Sequence, residues 1–358
     1  MFDATPLARG HATRGIGAAT RCLIRALSDA LPDDERPRLL TTTQQIPPAG
    51  FRHLAVAWPD WRIQRLPDLW PKLTIERKIR RAKPILFHAT QHELIPDGRR
   101  VHTVATCYDL IPLHYPPRDS RHALVARRNL ERLRTVALVC CSSRATADDV
   151  TAMLGIPPER IRVIPFAAPP QPPPHGETPE PPYLLYANSI EAHKNPRLAV
   201  DALAHAARDI ELVVTGTSSP VLLEDLVAYA SRVGVDQRIH WLGHVPAAHL
   251  AALRRDALAV LVTSRMEGFG LPVLESLAAG IPTLVANTPA LVEVGAEAVT
   301  VLPHDDPSAW GSAIDHIANH PEARPAIAER GRAHAATFTW ARTAELTVAA
   351  WRDALRGA

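Results

Sequence analysis

The 358-residue chain has no apolar run approaching the ~18 residues that a membrane-spanning helix needs, and its opening, MFDATPLARG, lacks a signal-peptide pattern. A cytoplasmic protein is therefore expected. Cysteine is scarce: Cys22, Cys107, Cys140 and Cys141 show neither CxxC spacing nor a metal-ligand pattern, and the pair in VALVCCSS reads as strand packing. No DxD aspartate pair is present to hold a metal, and no cofactor is called for. Aromatic residues make up 5% and are not interleaved with the basic ones, which argues against a nucleic-acid partner. There is no internal repeat.

What is present suits two domains of ordinary size, with an apolar share of 46%. Charge is divided unevenly. Up to residue 168, 26 Lys and Arg face 16 Asp and Glu; beyond it, 14 face 21. The basic first part suggests an anionic partner, either a membrane surface at the inner face or a lipid-linked phosphate acceptor, with an ordinary solvated arginine-rich surface as the alternative.

The most informative stretch is SRMEGFGLPVLESLAAG, Ser264 to Gly280. It follows a near-continuous apolar run, LAVLVTS, of the kind expected of a parallel strand covered on both faces. Gly268 and Gly270 bracket Phe269 in a loop where backbone N–H groups can approach a ligand, Leu271 and Pro272 open a helix, and Gly280 ends it. A helix N-terminus at the carboxyl end of a strand suits an anion. The flanking carboxylates, Glu267 and Glu275, would repel a diphosphate but accept paired hydrogen bonds from sugar hydroxyls. A sugar on each side of a diphosphate describes a nucleotide sugar. The bland alternative makes Glu275 a partner of the helix dipole and Glu267 a solvated loop residue.

This stretch resembles the EX7E motif of glycosyltransferase family 4, retaining enzymes of the GT-B fold in which EGFGLPVLEAMA is common. The resemblance continues elsewhere. RGIGAAT resembles the family's N-terminal glycine loop, which implies donor-side roles for Gly15 and Gly17, with Arg14 a further candidate. CYDLIPLHYP resembles its HDLIP or YDLIP segment, where Asp109 matches and Tyr108 stands where many relatives carry His. Asp109 reads equally as a cap after a strand. YANSIEAHKNP resembles YVGTLEPRKNL, whose basic residues bind the donor diphosphate; here Lys194 matches, while Ser189 and His193 occupy positions where Arg is common. An unpartnered, solvated lysine is the alternative for Lys194.

The remaining candidates come from position alone. The strands PILFHAT and VHTVATCYDL present His88, His92 and Tyr108 near their carboxyl ends, where an acceptor would lie, although a single histidine at a strand end is more often packed or capping. Gly216 ends another strand, where close backbone approach to a nucleotide would be useful. Trp58, Trp61 and Trp70 read as core or as an amphipathic surface for lipid or acceptor.

The expected fold is α/β: two doubly wound Rossmann-like domains facing across an interdomain cleft, the GT-B arrangement. Residues 1–168 form the acceptor-side domain, the proline-dense 169–182 a linker, and 183–340 the nucleotide-sugar domain; 341–358 form a helix crossing back to the first. The implied function is metal-independent transfer of a hexose, with retention, to a glycan, glycolipid or lipid-linked oligosaccharide. DATPL, YDLIP and HKN look most like the mannosyltransferase branch, which points to GDP-mannose. A UDP or dTDP sugar with a soluble natural-product acceptor is the alternative. Two other classes stay open: a catalytically silent nucleotide-sugar binder, suggested by Ser189 and His193, and a nucleotide-sugar epimerase.

Overall fold

The computed structural model describes residues 1–8, 15–43, 48–56, 69–96, 101–116, 119–180, 182–207 and 209–357. Trp58, Trp61 and Arg14 lie outside these residues. The chain forms two units, one from Met1–Phe166 with Thr339–Ala358, the other from Ala167–Phe338.

Short apolar strands with both faces covered read as continuous hydrophobic runs, and this is what the centre of each unit contains. The first unit holds β1 (Phe2–Asp3), β2 (Leu39–Thr42), β3 (His53–Val56), β4 (Phe87–Ala89), β5 (Thr103–Cys107), β6 (Leu138–Cys141) and β7 (Ile161–Val163). Among the described residues they make one sheet in the order β3-β2-β1-β4-β5-β6-β7, and the pairings are parallel. The final helix, Trp340–Arg356, packs on this sheet: Ala350 and Ala354 share a buried cluster with Val104 and Cys140, while the Trp351 ring meets Phe2 and His88 edge-on.

The second unit holds β8 (Tyr183–Ala187), β9 (Glu211–Thr215), β10 (Ile239–Gly243), β11 (Ala259–Val262), β12 (Thr283–Ala286) and β13 (Thr300–Leu302), in the order β10-β9-β8-β11-β12-β13. Here too the pairings are parallel. Its core gathers Tyr186, Leu203, Leu212, Leu261, Leu284 and the fully buried Trp310, whose indole N–H is satisfied by the Pro303 carbonyl at 2.8 Å. This doubly wound order reverses between β8 and β11. Loops leaving the carboxyl ends of those two neighbouring strands must diverge, and the crevice between them is where such sheets hold ligands.

The helix Leu271–Ala279 is bounded as its residues require. Gly270 enters it at φ +106°, Pro272 sits in its first turn, and Gly280 leaves it at φ +76° with its N–H on Leu277 and Ser276 carbonyls. Among the described residues no helix is long and apolar enough to cross a membrane.

Candidate functional site

The loops after β8 and β11 are tied together by their own backbones. The Thr263 hydroxyl lies 2.9 Å from both the Lys194 and the Asn195 carbonyls, and Arg265 N–H donates to the His193 carbonyl at 2.8 Å. This registers the 3-10 turn Ala192–Lys194 against the glycine loop. Lys194 Nζ then donates to Glu267 Oε1 at 2.7 Å, and Ser264 Oγ donates to the same oxygen at 2.8 Å. The lysine and glutamate side chains are 15% and 9% exposed. Lys194 is thus an ion-paired, largely buried lysine and not a solvated one. Of its three N–H donors, one goes to Glu267.

Behind Glu267, the Phe269 ring turns inward against Phe338, centroids 6.2 Å apart, leaving the loop backbone beside the helix start. The first N–H groups of a helix have no intrahelical acceptor, so Leu271 opens a run of donors at the same end of the sheet. His193 is buried, its ring 3.4 Å from Glu191, and the Ser189 carbonyl accepts from the Tyr186 hydroxyl at 3.1 Å. Buried Nδ2 atoms of Asn188 and Asn195, in the same loop, carry no hydrogen bond among the described residues.

Glu275 is not free in the way its position suggests. Arg254 Nη2 donates to its Oε2 at 2.7 Å, and Arg254 Nη1 reaches Gln171 Oε1 at 3.2 Å. Burial raises the Glu275 carboxyl above its ordinary range, and the Arg254 guanidinium opposes that rise. The Gly216 backbone, at φ +142°, packs against the loop after β8: a Cβ there would stand 2.1 Å from the Asn188 carbonyl oxygen.

The first unit's candidates separate. Gly15 and Gly17 both fall in the opening turn of the helix Gly15–Ala30. Asp109 caps: its Oδ1 accepts the Ile111 N–H at 2.9 Å. Of the two readings of His88, acceptor contact or packed residue, the structure shows the packed one: it is a core residue at 2% exposure. Its Nε2 meets Thr106 Oγ1 and its Nδ1 accepts from the Trp351 indole, each at 2.9 Å, and burial lowers its pKa to about 3. The cause is that β4 is a central strand and the final helix lays the Trp351 ring over the face that carries His88. His92 is partly exposed, 3.5 Å from Glu93. The Tyr108 ring packs on Phe166, and burial raises its phenol well above the usual range.

Residues 14–171 match the family model for Glycosyltransferase Family 4, and residues 169–334 match that for Glycosyl transferases group 1. The fold is GT-B, and its two halves match in turn the domain models of family 4 and group 1 glycosyltransferases. Similar solved folds span nearly all of it. Sucrose-phosphate synthase of Thermosynechococcus elongatus superposes with a TM-score of 0.73 at 16% identity, covering 94% of this chain and 93% of that one. Anabaena HepE, solved with UDP and glucose, gives 0.72 at 16%, covering 98% of each. Among curated relatives, the D-inositol 3-phosphate glycosyltransferase of Segniliparus rotundus is 32% identical over 189 residues, 51% of this chain and 42% of that protein. The enzyme of that description from Saccharomonospora viridis is 30% identical over 260 residues, 71% of this chain and 55% of that protein. The chain spans about half the length of the curated relatives it matches.

Within this GT-B chain, the residue that the sequence reading passed over is Arg254. It stands in LRRD beside Arg255, and nothing in that dipeptide marks which guanidinium goes inside; their side chains are 2% and 57% exposed. The helical spacing from buried Ala251 was the available signal. Ser264, quoted as the end of a strand, proves to be a hydrogen-bond partner of Glu267.

Proposed function

We propose that this chain transfers a hexose from a nucleoside diphosphate sugar, with Lys194, Glu267 and the start of the helix Leu271–Ala279 holding the donor. The observation that supports it is the Lys194–Glu267 pair at the reversal point of the six-stranded sheet, next to a glycine loop and a helix N-terminus. Departure of the diphosphate creates negative charge that the start of the helix Leu271–Ala279, the adjoining glycine loop at Phe269 and Gly270, and the remaining Lys194 donors would stabilise. Donors fixed before the reaction stabilise such charge at little reorganisation cost, each worth about 3–4 kcal/mol of barrier. Glu267 Oε1 is engaged by Lys194 and Ser264, which orients Oε2 toward hydroxyls of the transferred sugar. Glu275 takes ribose hydroxyls through the oxygen that Arg254 leaves open. Ser189 and His193 add donor-side groups within the second unit; by the family resemblance Gly15 and Gly17 take donor-side roles and Asp109 a catalytic one, and His92 and Tyr108 are the acceptor-side candidates. The reaction retains configuration and needs no metal or other cofactor, as the EX7E resemblance implies.

For the donor, the DATPL, YDLIP and HKN segments favour GDP-mannose. A UDP-hexose is the second reading, favoured by the HepE complexes with UDP and UDP-glucose. The acceptor is a glycan, a lipid-linked oligosaccharide or a small hydroxylated molecule such as an inositol phosphate, the last suggested by the names of the curated relatives. The protein works in the cytoplasm, where its basic first part can meet an anionic membrane surface. Calorimetry against GDP, UDP, dTDP and ADP and their common sugars, followed by donor hydrolysis, tests the reading. Binding of one diphosphate together with slow donor hydrolysis is expected. No binding across the panel would overturn it.

A further inference from the structure

Arg254 presents a physical problem that the donor reading leaves unsolved. It projects from the helix Ala247–Asp256 into the interior and is 2% exposed, although arginine is almost never buried without full pairing. Nη2 and Nη1 are satisfied by Glu275 and Gln171, while Nε is buried with no partner among the described residues. Keeping a guanidinium there carries a desolvation cost that an apolar side chain of similar volume would not. Such a residue earns its place by what it does to its partner.

Its partner is a carboxylate with two rotamer-dependent oxygens. Arg254 takes Oε2 at 2.7 Å, which fixes the plane of the Glu275 carboxylate and leaves Oε1 as the acceptor. The guanidinium is braced from behind by Gln171, itself held through Nε2 on the Pro169 carbonyl at 2.9 Å. Linker, buried arginine and glutamate therefore form one chain of hydrogen bonds within the second unit.

We infer that Arg254 is a positioning residue: it holds Glu275 in the orientation that accepts a ribose hydroxyl, so that preference for ribose over deoxyribose in the bound nucleoside diphosphate depends on it. The inference rests on the donor reading above and extends it to a residue with no ligand contact of its own. A structural arginine would support both nucleotides equally. A positioning arginine acts on the ribose form alone.

A pH signature accompanies it. Among the described residues Arg254 is the charged group facing Glu275, from the neighbouring helix, and Gln171 behind it is neutral. Burial raises the Glu275 carboxyl and Arg254 lowers it, so removing the guanidinium lets the acid hold its proton to higher pH. Protonated, Glu275 loses acceptor capacity.

The test is calorimetry on the full chain with GDP, UDP and their 2′,3′-dideoxy counterparts. Wild type is expected to prefer the ribose form. Arg254→Met should weaken the ribose form about tenfold, the scale of a lost charged hydrogen bond, and leave the dideoxy form within about twofold. Its remaining ribose preference should fade, as pH falls, at a higher pH than in wild type. Arg254→Lys should recover part of the preference, and it carries the test if Arg254→Met does not fold. In a Glu275→Gln background, Arg254→Met should change the ratio no further. Equal weakening of ribose and dideoxy forms would overturn the inference while leaving the donor reading standing. A folded wild type that binds none of the four would overturn both.

Discussion

The Lys194 ammonium and the Glu267 carboxylate meet at 2.7 Å although 73 positions separate them in the chain. The contact exists because β8 and β11 are neighbours in the sheet while their outgoing loops are fastened by Thr263 and Arg265. Removing the lysine deprives a diphosphate of its cation and leaves Glu267 without its charged partner. Lys194→Ala is expected to weaken nucleoside diphosphate binding at least about tenfold and nucleoside binding far less. Calorimetry with both ligands checks this, and equal losses would count against a phosphate role.

Glu267 itself is expected to serve the transferred sugar. Glu267→Ala should reduce transfer or donor hydrolysis by about a hundredfold or more, the cost of a misplaced reactant, while the nucleoside diphosphate still binds. Near-normal turnover in a folded variant would remove Glu267 from the mechanism.

Two glycines separate a backbone demand from an open position. Gly216, at φ +142°, faces the Asn188 carbonyl so closely that any Cβ collides, whereas Gly155, at φ +61°, has nothing within 4 Å of its missing side chain. Gly216→Ala should cost more than the ~1–3 kcal/mol of backbone strain alone, and Gly155→Ala should stay within that range. Thermal melts of the two variants give the comparison; a larger drop for Gly155→Ala would be the wrong order.

Acid should weaken the first unit through His88. Its folded pKa, about 3, lies below the ordinary 6.5, so the unfolded chain binds the proton more readily. The stability associated with a neutral His88 is present above the ordinary value and is lost as pH falls toward the folded one, at up to about 1.4 kcal/mol per pH unit. Urea unfolding of the first unit between neutrality and pH 4 should show this slope, and His88→Gln should flatten it. An unchanged slope would mean that other groups dominate.

Much of this arrangement was legible before any coordinates. Val273, Leu274 and Leu277 recur at helical spacing between a proline and a glycine, and the helix runs Leu271–Ala279 with Gly280 as its stop. The doubly wound α/β fold followed from apolar strands alternating with helices. Pairings were harder to see, because they depend on strand order: only the adjacency of β8 and β11 brings Lys194 to Glu267. Burial was hardest. His88 could be read as packed or as a strand-end ligand, because its run, PILFHAT, does not reveal that it occupies a central strand whose residues are all buried. Arg254 and Arg255 are chemically identical, and only the helical spacing from Ala251 separates the inward one from the outward one.

The helix Trp340–Arg356 belongs to the first unit, as Phe2–Trp351 ring contact and the Arg162–Asp353 ion pair show. That unit is therefore discontinuous in the order of synthesis, whereas the second is one unbroken segment. On the ribosome, the unit begun first is completed last. Until the final helix emerges, Val104, Leu138 and Cys140 lack the apolar cover of Ala350 and Ala354. A nascent or C-terminally trimmed chain would thus pair a finished second unit with an unfinished first, and chaperone dependence and proteolysis should concentrate on the half that carries the amino terminus.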